Sequence, residues 1–241
     1  MNLSTEDAKL LEDLYESFKA NGATLNKDDK EKYRKLSMDL SMLTLQFDQN
    51  ALKDKNRFEL QITDENELSG LPESARDAAA MLAKSKDKNG WLFNLSAPSY
   101  IPFMRYSDKR DLREKMYREY MSVGNKGDEF DNKDIIKKIV NIRLEIAQLM
   151  GFKNYAEYAL EHTMAKNSAN VYKLLNQLLE AYKPIAINEY NAVEGFALGT
   201  EKENITVMPW DWSYYSEKLR DIRFKVNDEM TRPYFELSNV K

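Results

Sequence analysis

The chain of 241 residues has no cysteine and a single histidine, and these two scarcities exclude a wide range of chemistry. Without cysteine there is no disulfide framework, thiolate nucleophile, Cys-ligated zinc or iron–sulfur cluster, and the redox compartment cannot be read. A His-Glu-x-x-His zinc helix needs two imidazoles at one spacing, so His162 alone cannot form it. A serine triad would have to use the same His162 as its base, and no G-x-S-x-G elbow is present. Glycine is also sparse: the 8 glycines form neither a G-x-x-x-x-G-K-S/T loop nor a G-x-G-x-x-G turn to cradle phosphates. Nor does one sign of charge dominate. With 36 Lys+Arg against 40 Asp+Glu the net charge is −4, which argues against nucleic acid, whose backbone selects basic surfaces. No apolar run approaches the ~20 residues of a membrane span, and Met1 leads into a polar stretch rather than a signal-peptide core. A soluble chain with neither nucleic acid nor membrane as partner is therefore expected.

What is present is enough apolar material for a sizeable core, 42% hydrophobic with 11% aromatic, in one large domain or two small ones. Ser4 precedes an acidic first turn, and Leu10, Leu11, Leu14, Tyr15 and Phe18 recur at helical spacing before Gly22, which predicts a capped amphipathic helix. Asn26 caps a second, from Lys27 to about Lys55 and roughly 40 Å long. In it Tyr33, Leu36, Leu40, Leu43 and Phe47 form a narrow seam, and Leu10–Phe18 is the expected mate.

From Phe58 the period changes to two, so 58–62 and Trp91–Leu95 read as strands, with Asp64-Glu65-Asn66 a turn and an Ala-rich helix between them after Pro72. Pro98 and Pro102 predict an extended or edge segment over Ser99–Tyr106. The stretch 58–106 is thus a small sheet carrying a helix. Beyond Ser107 nearly everything is helical: to about Val123, from Lys133 to Met150, and from Asn154. Val171, Leu174, Leu175, Leu178, Leu179 and Tyr182 form a wide apolar stripe, with a kink or break at Pro184 and a loop bounded by Gly195 and Gly199. Asp211 caps a helix through Phe224, and Asn227 starts another. The expected fold class is mostly α, a multi-helix bundle with a small β-containing subregion.

Three constellations carry candidate chemistry. His162, near a helix end, reads as a surface or C-terminal histidine rather than a ligand, since a site would need convergent groups from elsewhere. The many carboxylates read as solvated helix faces rather than an acid–base pair. The run Pro209-Trp210-Asp211-Trp212-Ser213-Tyr214-Tyr215 reads as core or interdomain packing, with stacking on a sugar or an exposed peptide as the alternative.

A series of segments then occurs in a telling order: Gly70-Leu71-Pro72, Pro98-Ser99-Tyr100-Ile101-Pro102, Arg110-Asp111-Leu112-Arg113-Glu114-Lys115, Gly151-Phe152-Lys153-Asn154-Tyr155-Ala156-Glu157-Tyr158, Met164-Ala165-Lys166, Pro209–Tyr215 and Arg232-Pro233-Tyr234-Phe235. Together they closely resemble the region just upstream of the zinc site in the thimet oligopeptidase family of metallopeptidases. Asn21-Gly22-Ala23 and the run at 127–132 look most like the bacterial peptidyl-dipeptidases, or dipeptidyl carboxypeptidases. The resemblance implies a zincin-like oligopeptidase that releases C-terminal dipeptides from oligopeptides inside a channel between two mostly helical halves. In that family the zinc helix lies downstream of the segment resembling Arg232–Phe235. The expectation is therefore an α-rich fragment, 1–241, with its small sheet at 58–106 and the catalytic zinc domain absent. No catalytic, cofactor-binding or metal-ligating residue is assigned, and zinc belongs to the parent enzyme. Expected partners are oligopeptides in the parent, the missing catalytic half, and a second copy through surface left bare. The expected location is the cytoplasm, with the periplasm left open. The alternative is a freestanding helical module that binds protein or peptide without catalysis.

Overall fold

The computed structural model describes residues 3–201, 205–225, 230 and 232–235. Among them the architecture is mostly α, with one two-stranded sheet. The helices are α1 (Thr5–Ala20), α2 (Lys27–Arg57), α3 (Glu73–Ser85), α4 (Ala97–Tyr106), α5 (Arg110–Met121), α6 (Lys133–Leu149), α7 (Tyr155–Leu160), α8 (Ser168–Thr200) and α9 (Pro209–Phe224), and the strands are β1 (Leu60–Ile62) and β2 (Trp91–Phe93). Short 3₁₀ turns cover Glu65–Leu68 and Arg232–Phe235. The chain divides into two compact units, one of Met1–Ala51 with Gly127–Glu180 and the other of Leu52–Lys126 with Ala181–Lys241. The helix start expected at Asn227 lies outside the described residues.

In the first unit the local signals act as read. Ser4 Oγ accepts the Asp7 N–H at 3.1 Å and Asn26 Oδ1 accepts that of Asp29 at 2.9 Å, satisfying donors that the first helical turn leaves free. The seam of α2 is also real, since Leu36 and Asn50 are buried and Tyr33, Leu40, Leu43 and Phe47 half-buried. Its mate is not the one expected. Asn132 Nδ2 donates to Phe47 O at 3.0 Å and Asn50 Nδ2 donates to Asn132 Oδ1 at 3.1 Å, while Tyr158 Oη donates to Ala20 O, the last residue of α1, at 2.7 Å. The seam thus meets the approach to α6, while α7 is tied to the end of α1 and no residue of α1 is buried. Polar pairs of fixed geometry set the register here, and the apolar side chains of α1 stay exposed.

In the second unit β1 and β2 pair antiparallel, Leu60 opposite Phe93 and Ile62 opposite Trp91, joined through the 3₁₀ turn and α3. Both strands are shorter than their alternation predicts, and Asp64-Glu65-Asn66 opens the 3₁₀ turn, Asp64 capping it. Ala79 and Ala83 are buried, and these small side chains let α3 lie close on β2. Leu60, Ile62, Leu71, Phe93, Phe103, Met104, Met116 and Trp210 form one core, with Phe93 and Phe103 edge to face at 4.8 Å.

Two expectations based on proline and glycine are corrected. Ser99–Tyr106 is helix, not an extended segment: Pro98 sits in the first turn of α4, where its missing N–H would have had no partner, and Pro102 removes one internal bond. Burial of Phe103 and Met104 outweighs that single loss. Likewise α8 runs unbroken through Pro184 and past Gly195 and Gly199. A helical glycine costs about 1 kcal/mol relative to alanine, less than is gained by burying Val193 and Ala197 against Tyr214 and Tyr215.

Candidate functional site

The polar centre of the second unit is built where α9 begins. Met208, not Asp211, is the residue that precedes the helix; Asp211 stands three residues on and reaches back, its Oδ2 accepting the Met208 N–H at 3.1 Å. An acidic side chain in a first helical turn also faces the positive end of the helix dipole. Its neighbours alternate in fate. Trp210, Tyr214 and Tyr215 are buried, whereas Trp212 is partly exposed and stacks on Tyr190 with ring planes 7° apart. The aromatic run is thus chiefly internal packing, as its sequence suggests, with Trp212 the more exposed of its four rings. Tyr234 and Phe235 are exposed.

Two arginines of α5 converge on Asp211. The spacing of Arg110 and Arg113, three residues, places both on one face of that helix. Arg110 donates through Nη2 to Asp211 Oδ2 at 2.7 Å and through Nε at 3.0 and 3.1 Å to the two oxygens, with a further bond from Nη2 to Thr206 O at 3.0 Å. Arg113, 1% exposed, donates to Asp211 Oδ1 at 2.8 Å, to Ser107 O at 2.7 Å and to Trp210 O at 3.3 Å. Its guanidinium also lies 4.0 Å from the Tyr214 ring centroid. Burial on its own would raise the Asp211 pKa, but the hydrogen bonds from Arg110, the Met208 N–H and Arg113 together hold it below the ordinary 3.8.

A second carboxylate, Asp108, lies in the same unit. It accepts Tyr214 Oη–H and Ser69 Oγ–H, each at 2.7 Å, and sits 3.3 Å from Lys218 Nζ. Burial would raise its pKa too; the bonds from Ser69 and Tyr214 and the Lys218 charge prevail and lower it. Desolvation, with the Asp108 bond, pushes the Tyr214 phenol well above its usual range. A cleft of ≈ 520 Å³ runs beside these groups, bordered by Tyr106, Asp108, Phe196, Glu217, Lys218 and Ile222. Glu217 in turn accepts from Tyr106 Oη at 3.1 Å and Arg220 Nη2 at 2.5 Å. At its edge Gly70 has φ +84, and a Cβ there would meet Tyr106 O at 2.1 Å. Elsewhere in the unit Asp54, fully buried, accepts the Gly124 N–H at 2.7 Å and pairs with Arg57 at 2.7 Å and Lys126 at 3.3 Å.

These carboxylates are fastened by cations and hydroxyls, and Asp108 and Asp211 have lowered pKa values, so neither is poised to take a proton near neutrality. The network ties α5, α9 and the connection before α5 together. His162 is 46% exposed beside Glu161 at 3.4 Å, in the other unit. Among the described residues no group of three or more His, Asp or Glu side chains could hold a metal ion. The described residues do not fit a zinc centre. Sequence reasoning singled out Asp211 and the aromatic run but not the convergence of Arg110 and Arg113 on them. The one available signal was the pairing of two arginines, three apart, ahead of a tryptophan-flanked aspartate.

Comparison with known proteins bears on what such a scaffold serves. The profile of Peptidase family M3 matches residues 103–241. Oligopeptidase A of Haemophilus influenzae is 37% identical over 98% of this chain and 35% of its own length. Probable cytosolic oligopeptidase A of Arabidopsis thaliana is 36% identical over 99% of this chain and 35% of its own. Dipeptidyl carboxypeptidase of Escherichia coli is 29% identical over 100% of this chain and 35% of its own. Identity is therefore higher to the two oligopeptidases A than to the dipeptidyl carboxypeptidase, which is a relative as well. The chain spans about a third of the length of the relatives it matches. Among the described residues no helix is long and apolar enough to cross a membrane.

Proposed function

Because the chain belongs to peptidase family M3, we propose that it is a non-catalytic helical part of a metallopeptidase acting on oligopeptides, forming one wall of the channel that admits them. The observation that carries this reading is the state of the Asp211 network, whose carboxylates hold helices together and leave no free base. Catalysis, and the zinc that the motif resemblance implies, are assigned to parts of the longer peptidase outside these 241 residues. A narrow channel would select unfolded oligopeptides over folded proteins by sterics alone. Cleavage of oligopeptides is the primary reading, in line with the two relatives named oligopeptidase A. Release of C-terminal dipeptides is the finer reading within it, supported by the dipeptidyl carboxypeptidase match along the whole chain. The cytoplasm is the proposed location, in line with the relative named cytosolic.

The test is a chimera in which the matched third of Haemophilus influenzae oligopeptidase A is replaced by this chain. Cleavage of an unstructured oligopeptide, with products read by mass spectrometry, is the expected result, and the products separate internal cuts from dipeptide release. A folded chimera without cleavage, together with peptide binding by the free chain, would instead support the freestanding module.

A further inference from the structure

Two helix faces of the first unit carry large, exposed apolar side chains. In α1, Leu10, Leu11, Leu14, Tyr15 and Phe18 are 48% to 66% exposed, and in the first half of α8, Tyr172, Leu174, Leu175, Leu178 and Leu179 are 42% to 64% exposed. At about 100° per residue the first set spans roughly 140° of its helix and the second roughly 160°, each as wide as the stripe a helix normally turns to a core. The opposite faces are polar in both: Glu12, Asp13 and Glu16 in α1, and Lys173, Gln177 and Glu180 in α8. Helices so cleanly two-sided are written to be covered on one side and wetted on the other. Solvent-exposed apolar faces of this kind mark an interaction surface.

We propose that both faces are docking surfaces for the remaining polypeptide of a longer M3 peptidase, and this assignment rests on the reading given under Proposed function. Two observations select that occupant over a second copy of this chain. Each face offers five large apolar side chains, whereas a stable interface between separate molecules takes roughly 20–30 residues a side, so neither face suffices to hold a dimer. Segments of one longer chain close onto such faces without the entropy cost of bringing two molecules together. The relatives supply the length: about two thirds of each lies beyond the part this chain matches.

The absence of native cysteine makes the assignment directly testable. Single variants Phe18→Cys and Leu175→Cys, with Lys137→Cys on an exposed side chain of α6 as reference, are prepared both in the free 241-residue chain and in the Haemophilus influenzae chimera. Maleimide labelling is followed by mass mapping of labelled peptides. The expected result is that in the free chain both thiols react at the reference rate, and that in the chimera both slow by about tenfold or more relative to it. Thiols that stay as reactive as the reference in a chimera that cleaves peptides overturn the docking surfaces and leave the peptidase reading standing. Concentration-dependent protection in the free chain makes a second copy the occupant and overturns the assignment. Protection without cleavage upholds the faces and counts against the peptidase reading, whereas neither protection nor cleavage overturns both.

Discussion

Replacing Asp211 by asparagine is the sharpest perturbation of the network at the start of α9. The substitution keeps the shape of the side chain but removes the charge that two guanidinium groups share. The two arginines differ in what they lose. Arg110 is 44% exposed and can turn to water, so its part of the cost is that of a partly exposed pair, about 1 kcal/mol or less. Arg113 is 1% exposed and keeps only neutral partners against a full positive charge: Ser107 O, Trp210 O, the Tyr214 ring and the amide oxygen of the variant side chain. Leaving a buried charge without its partner costs about 3–5 kcal/mol. Asp211→Asn should therefore destabilise the second unit by about 3–5 kcal/mol, a large share of the ~5–15 kcal/mol that holds a domain folded, and Arg110→Ala by about 1. All three tryptophans, Trp91, Trp210 and Trp212, lie in that unit, so urea titration followed by tryptophan fluorescence reports its unfolding without interference from the other. The midpoint should fall with the slope unchanged. Equal, sub-kilocalorie effects of Asp211→Asn and Arg110→Ala would refute the claim that burial of Arg113 sets the cost.

Other outcomes follow from the same geometry. Asp108 and Asp211 have folded pKa values below their ordinary 3.8, so their stabilisation is complete above that value and is lost as pH falls through the lower folded values; acid titration of wild type should unfold the second unit below about pH 4, and the difference between wild type and Asp211→Asn should shrink over the same range. Gly70→Ala, with its Cβ driven onto Tyr106 O at a positive φ, should cost more than about 2 kcal/mol, whereas Gly195→Ala, in open space within α8, should stabilise by up to about 1 kcal/mol; fluorescence-detected urea curves give both signs. Pro184→Ala restores an N–H that can bond Glu180 O in exposed helix, so amide exchange across 181–188 should slow; unchanged exchange would mean the ring costs the helix nothing there. After dialysis the free chain should carry no stoichiometric zinc by elemental analysis, because its one imidazole is exposed and far short of a three-ligand set.

Much of the secondary structure was legible because its causes are local. Ser4, Asn26 and Asn154 cap helices through bonds that span three residues, and Glu59-Leu60-Gln61-Ile62 alternates because a strand turns successive side chains to opposite faces. The same holds for the limits on chemistry, since a chain with one histidine and no cysteine cannot assemble a two-histidine zinc helix however it folds. Where sequence reasoning failed, the deciding energy came from far along the chain. Pro102 weakens α4 locally, yet the helix persists because Phe103 and Met104 bury in a core contributed by β2, α5 and α9. Gly195 and Gly199 read as a loop, yet α8 continues because Ala197 packs against Tyr215, residues that only folding makes neighbours. The network around Asp211 is the same case at its largest: Arg110 and Arg113 lie about a hundred positions away, and nothing in local spacing says which carboxylate they will meet. Periodicity and capping act through bonds a few residues long and can be read in order; partner choice is set by which surfaces burial brings together, and that only the tertiary structure decides.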